Sequence, residues 1–172
     1  QYAECLQRIL TNRWVEEGKI AGPPVDTEPF LFALLGAAGT GKTSVLQVCD
    51  ALTEFWLPES EGKRAIKKCA ISNTAARLIG GDTLHAVCKL PPKSMKGRRG
   101  SLSAAVLQRF REEWEPVESL FIDEVSMLAC EQLFQADQRT RQAKSRSWQE
   151  FGGLAVTASG DFLQLPPIES GN

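Results

Sequence analysis

Histidine is almost absent from this chain: its 172 residues hold one, His85. The five cysteines (Cys5, Cys49, Cys69, Cys88 and Cys130) form no C-x-x-C pair. Together these shortages argue against a zinc site, and an odd number of unpaired cysteines fits a reducing, intracellular compartment better than a disulfide framework. There is no apolar run of about 18 residues and no signal peptide, so no membrane-spanning segment is expected. A charge excess is also lacking: 20 Lys and Arg against 21 Asp and Glu leave a net charge of -1, which does not mark the chain as a polyanion binder. The first residue is Gln1 rather than methionine, and the expectation is a piece cut from something longer.

What is present is 42% hydrophobic residues, enough for one globular domain with its own core. The charge is also unevenly spread. No Asp or Glu occurs from 83 to 111, where Lys89, Lys93, Lys96, Arg98, Arg99, Arg109 and Arg111 fall. A second acid-free run, 138–149, holds Arg139, Arg141, Lys144 and Arg146. Each run reads either as a polyanion-steering patch or as an ordinary solvated face.

Apolar spacing predicts a helix over "YAECLQRILTNRWVEEG", closed by Gly18 and a Pro-containing linker. "FLFALL" (30–35) reads as a strand buried on both faces, feeding a glycine-rich loop. The helix after it, "KTSVLQVCDALTEFW", is expected to put Val45, Val48, Cys49 and Leu52 on one side. "KKCAIS", "SLFID" and "GGLAVTAS" read as further strands, with helices at "NTAARLIG", "LSAAVLQRFREEW" and "EQLFQADQRTRQ". "LPPKSMKGRRGS" reads as a basic loop. Strands alternating with helices predict an α/β three-layer sandwich with a mostly parallel sheet. No repeat or low-complexity tract interrupts it.

The glycine-rich loop fits G-x-x-x-x-G-K-[ST] at Gly36, Gly41, Lys42 and Thr43, between a strand and a helix as the motif requires. Its glycines let backbone N–H groups turn inward around phosphates, and the following helix adds its positive end. Lys42 is expected at the β- and γ-phosphates and Thr43 on Mg2+, with Gly36, Gly39 and Thr40 completing the cradle for ATP. "SLFIDE" supplies Asp123 for the metal and Glu124 to activate the attacking water. After the last strand, "SGDFLQLPPI" offers Asp161 and Gln164 to the γ-phosphate on a support stiffened by Pro166 and Pro167.

The combination of "LLGAAGTGKT", "ISNTAARLIGGDTLHAVCKL", "LFIDEVSMLACEQLFQADQRTRQ" and "FGGLAVTASGDFLQLPPI" resembles the petite-integration-frequency family of DNA helicases. That family is a 5′-to-3′ branch of superfamily 1 with RecD-like relatives, and the resemblance covers essentially the whole chain. It implies a RecA-like ATP-binding lobe spanning 1–172, with a basic loop near 91–100. It makes Lys42, Glu124 and Gln164 the catalytic set and places Thr43 and Asp123 on the metal. It puts Asn73, Thr74, Thr83 and His85 against single-stranded DNA, and Gln1 in the adenine-recognising region. A half-buried structural histidine and a surface glutamine are the plainer readings of His85 and Gln1. The family has glycine where this chain has Asn73, a residue that tolerates left-handed backbone. Family members also carry basic residues at the positions of Arg139 and Arg141.

The resemblance further implies that single-stranded DNA and duplex junctions are the partners. A second RecA-like lobe, absent here, is expected to bring the arginine fingers, worth about 10^3–10^5 in rate in analogous hydrolases. The piece alone is therefore expected to be nearly inactive. Roles in repair and recombination, and a nuclear location with the mitochondrion as alternative, are implied by resemblance only. Two rival readings remain: the helicase module of a mobile-element replication protein, and a non-enzymatic relative that binds ATP or DNA.

Overall fold

A computed structural model of the chain describes residues 2–23, 30–59, 62–91 and 102–163. Five strands alternate with six helices: α1 (Tyr2–Glu16), β1 (Leu31–Leu35), α2 (Lys42–Trp56), β2 (Ile66–Ala70), α3 (Asn73–Leu78), β3 (Asp82–Thr83), α4 (Leu84–Val87), α5 (Ala104–Trp114), β4 (Ser119–Asp123), α6 (Cys130–Lys144) and β5 (Ala155–Gly160). The strands form one sheet in the order β1-β5-β4-β2-β3, every neighbouring pair parallel. The parallel α/β sandwich is thus as the alternation predicts.

Pleat alternation divides the sheet into two faces. On one, Ala70 and Phe121 pack under Leu46 of α2 and under Ala76 and Ile79 of the α3 segment. On the other, Cys69, Leu120, Ile122 and Val156 pack against Leu84 of α4, Phe110 and Trp114 of α5, and Ala136 and Ala143 of α6. Phe110 and Trp114, both fully buried, meet edge to face at 5.6 Å. Burying each side chain contributes about 1.5–3 kcal/mol. Helix α1 is fixed at the far end of the sheet from the glycine-rich loop. There the Tyr2 hydroxyl lies 2.8 Å from Thr53 Oγ1 and 2.7 Å from Ser119 Oγ, and burial pushes its pKa up to about 12.

Three expectations are corrected. β1 is an outer strand, paired only with β5 among the described residues, and Leu31, Phe32 and Leu35 are 49%, 40% and 54% exposed. An apolar run implies burial on two faces only where neighbours flank it, and here they lie on one edge. On α2 the buried side is Leu46, Cys49 and Thr53, whereas Val45 and Val48 face outward. Three of the four 138–149 cations are engaged within the chain rather than forming a patch or a solvated face. Lys144, its side chain only 7% exposed, donates to the carbonyls of Glu115 (3.0 Å) and Val117 (2.8 Å), closing the end of α5, and desolvation lowers its pKa. Arg139, also buried, donates to Gln142 Oε1, and Arg141 pairs with Asp137.

Candidate nucleotide site

The phosphate loop leaves β1 at Gly36, whose N–H donates to the carbonyl of Gly160 at the end of β5 (3.1 Å). It then turns through Gly39 and Gly41 at φ 77° and 89°, left-handed geometry that side chains with a Cβ rarely adopt. Thr40 Oγ1 donates to Ala37 O at 2.8 Å, so its hydroxyl braces the loop. Gly41 caps α2 without a side-chain acceptor, and the first turn carries no acidic residue. The initial N–H groups of a 15-residue helix are therefore left for an external anion. Lys42 Nζ donates to the loop's own carbonyls at Gly36 (2.6 Å) and Ala37 (2.9 Å), bonds it can exchange for phosphate oxygens.

At the same edge β4 ends in Asp123, which accepts a hydrogen bond from Ser159 of β5. Glu124 follows at φ 56°, ψ 39° and opens a 3-10 turn, Val125–Met127, with Met127 N–H bonded to its carbonyl at 3.0 Å. A left-handed non-glycine residue costs about 1–2 kcal/mol, and such strain gathers at functional positions. It swings the chain out of the strand direction, so the two adjacent carboxylates do not simply alternate across the sheet. Gly160 lets this turn sit against β5: a Cβ there would lie 2.9 Å from Val125 Cγ1 and 3.0 Å from Ser126 N. One glycine thus touches both the phosphate loop, through its carbonyl, and the turn after Glu124.

Mg2+ fits this donor set. Asp123 and Thr43 offer hard oxygens, a carboxylate and a hydroxyl, and Ser159 orients the carboxylate. Mg2+ is commonly held by one or two carboxylates together with substrate phosphates, so no all-protein cage is needed. None is formed among the described residues.

Of the other predicted residues, Asp161 is buried, and one of its oxygens accepts Leu163 N–H in the turn out of β5. Gln164, Gln1 and nearly all of the basic loop at 91–100 lie outside the described residues. Tyr2, next to Gln1 in sequence, is bonded at the Ser119 end of β4, opposite the phosphate loop. Asn73 and Thr74 are exposed on the first turn of α3, which Ser72 caps by accepting Ala75 N–H. Asn73 is helical, so no left-handed tolerance is needed there. Because Ala70 is in register with Asp123, α3 starts at the nucleotide edge. Thr83 uses its hydroxyl to cap α4. His85, half-buried, has its Nε2 3.4 Å from Gln132 Nε2. Sequence reasoning overlooked Ser159, Gly160 and Gln132. Only the small pair "SG" ahead of "DFLQLPP" hinted at the first two.

A family model, PIF1-like helicase, matches residues 18–172. The chain belongs to this family. Similar PIF1-like proteins include the ATP-dependent DNA helicase PIF6 of Trypanosoma brucei brucei, 30% identical over 92% of this chain, and human PIF1, 32% identical over 140 residues. The chain spans about a fifth of the length of these relatives (19% and 20%). Among solved PIF1 structures, Bacteroides Pif1 in complex with ADP-AlF4 matches 97% of this chain at TM-score 0.59 and 28% identity. The same helicase bound to single-stranded DNA matches at 0.58 and 26%. The chain covers 34% and 33% of those two proteins. In this PIF1-like chain the family's motifs meet at one sheet edge.

Proposed function

We propose that this chain is the first RecA-like lobe of an ATP-dependent DNA helicase, in which Mg-ATP hydrolysis drives 5′-to-3′ movement on single-stranded DNA and separates duplex at junctions. The observation that carries this is the joining of the three motifs: Gly36 to Gly160, Gly160 against Val125, and Ser159 to Asp123. Lys42 releases the loop carbonyls and donates to the β- and γ-phosphates, while Thr43 and Asp123 hold the metal. Mg2+, when bound, neutralises charge that develops on the phosphates. Glu124 takes a proton from the attacking water. Gln164 is assigned the task of passing the state of the γ-phosphate to a second lobe that supplies the arginine fingers. Exposed polar groups at Asn73 and Thr74 suit a track of phosphates read without regard to base. The resemblance favours service in DNA repair and recombination, in the nucleus or the mitochondrion.

The test is ATP turnover by the full-length protein, with and without single-stranded DNA, beside the 172-residue chain. Strong stimulation of the former and very slow turnover by the latter are expected. A full-length rate indifferent to DNA, with no duplex separated, would overturn the reading.

A further inference from the structure

β2 lies inside the sheet, between β4 and β3, yet its five residues, Ile66–Ala70, include two lysines in succession. The pleat sends them to opposite faces. Lys67 goes to the α5 side, where its Nζ meets Glu113 Oε1 at 2.8 Å. Lys68, in register with Phe121, goes to the α2 side, where its Nζ meets Asp50 Oδ2 at 3.0 Å. The Lys68 and Asp50 side chains are 14% and 22% exposed, so this pair is largely withdrawn from water. Desolvation offsets much of the attraction in such a pair. What the pair supplies is a fixed distance between α2 and β2. Asp50 Oδ1 also accepts from Arg64 at 2.7 Å.

The chain that leaves α3 is moulded on the same lysine. A Cβ on Gly81 would lie 2.2 Å from Lys68 O and 3.0 Å from Lys68 Cβ, and one on Gly80, at φ 63°, 3.6 Å from Lys68 Nζ. Gly81 therefore rests on the Lys68 backbone and Gly80 passes beside its ammonium. Directly afterwards β3 pairs with Cys69 and Ala70, and Thr83 caps α4. On this face Leu46 of α2 also packs with Ala76 and Ile79. Asp50 follows Lys42 by eight positions on α2, about 12 Å of helix. A shift of α2 along its axis must break the ion pair or carry Lys68 and the glycine turn with it. We infer that Lys68 is a positioning residue: through Asp50 it locks the 80–83 stretch to the phosphate-loop helix, so that occupancy of the nucleotide site is felt at the segment assigned to DNA. The link to DNA rests on the proposed role of the 72–85 segment; the attachment to α2 does not.

Lys68→Met keeps an unbranched stem and leaves Asp50 its bond to Arg64, so no carboxylate is stranded. Lys67→Met, which removes the neighbouring lysine and its ion pair on the other face, is the control. In the full-length protein, the non-hydrolysable analogue AMP-PNP with Mg2+ is expected to slow amide exchange at 80–84 in the wild type and in Lys67→Met. In Lys68→Met that protection should be lost, while basal turnover and nucleotide affinity stay as in the wild type. The change in single-stranded DNA affinity caused by AMP-PNP should shrink in Lys68→Met by about two- to thirtyfold, the range for residues that couple distant sites. Asp50→Asn breaks the pair from the other side and should act alike, so it serves if the methionine variant fails to fold. Protection that is absent from the wild type, that persists in both Lys68→Met and Asp50→Asn, or that is lost equally in Lys67→Met overturns the positioning role. A nucleotide-dependent DNA affinity unmoved in Lys68→Met removes the link to DNA. A wild type that ignores single-stranded DNA sinks the helicase reading instead, and the exchange result still decides whether Lys68 ties the turn to α2.

Discussion

β1 and β4 are both short, apolar and five residues long, and each delivers its chain to the nucleotide edge, yet their surroundings are opposite. β4 lies between β5 and β2 with Leu120 and Ile122 fully buried and Phe121 nearly so. Among the described residues β1 has β5 on one side only, and its leucines at 31 and 35 are about half exposed. Rank in the sheet, which local composition does not encode, makes this difference. It also separates the two halves of the edge: the glycine-rich loop follows the outer strand, whereas the carboxylates of Asp123 and Glu124 stand at the end of the central one.

The sharpest way to separate the two strands is through the residues that follow them. Glu124→Gln, after the central strand, should leave ATP affinity intact and cut turnover by about 10^2–10^4-fold, as loss of a general base does. Lys42→Ala, after the outer one, should abolish nucleotide binding itself. Single-turnover hydrolysis and fluorescent-nucleotide titration distinguish the two, and residual wild-type turnover in the glutamine variant would show that another group activates the water.

A smaller effect tests the packing. Leu120→Ala should cost about 2–5 kcal/mol by denaturant melting, and Leu31→Ala, already half exposed, less than about 1 kcal/mol. Equal costs would break the contrast. Between the strands stands Gly160, and Gly160→Ala forces Val125 or the Ser126 amide to move. The expected loss is about 1–3 kcal/mol of stability, with a fall in turnover larger than the fall in nucleotide affinity.

The mildest test uses thiols. Cys130 is exposed, whereas Cys69 and Cys88 are fully buried, and burial pushes Cys88 up to about 12. At mildly alkaline pH a thiol reagent should label Cys130 at once and Cys69 and Cys88 only on unfolding. The buried thiols keep their protons where an unfolded chain loses them. The folded state then binds more protons, and stability should fall as pH rises past about 9. A melting midpoint indifferent to pH in that range would contradict the burial.

Element type was largely legible in the sequence, because periodicity and the glycine-rich loop are local signals. The Gly39 and Gly41 turns and the Asp123–Glu124 pair were equally legible, since their chemistry lies in adjacent residues. What sequence could not show depended on contacts distant along the chain. Lys144 read as one cation of a steering patch or a solvated face until the carbonyls of Glu115 and Val117, 29 and 27 residues back, took its ammonium. Ser159 gained a role only once β5 lay beside β4, 36 residues back. Val45 and Val48 were grouped on one side with Cys49, which is buried while they face outward, because apolar character alone does not set the phase of a helix over a sheet.

The open side of β1 has a consequence in handedness. Through α2 and α3 the chain moves from β1 toward β3 over the Phe121 face, and through α5 and α6 it returns over the Leu120 face. Every crossover thus has the same sense, as right-handed βαβ connections require. Register places Leu31, Ala33 and Leu35 on the Leu120 face, beside Val156 and Ala158. A polypeptide that leaves β5 and pairs in parallel with the outer side of β1 continues the return journey, so it must cross that same face. The three side chains left bare on β1 are then the ones such a crossover would cover, and the winding direction already chosen by this lobe settles which face a sixth strand's connection may use.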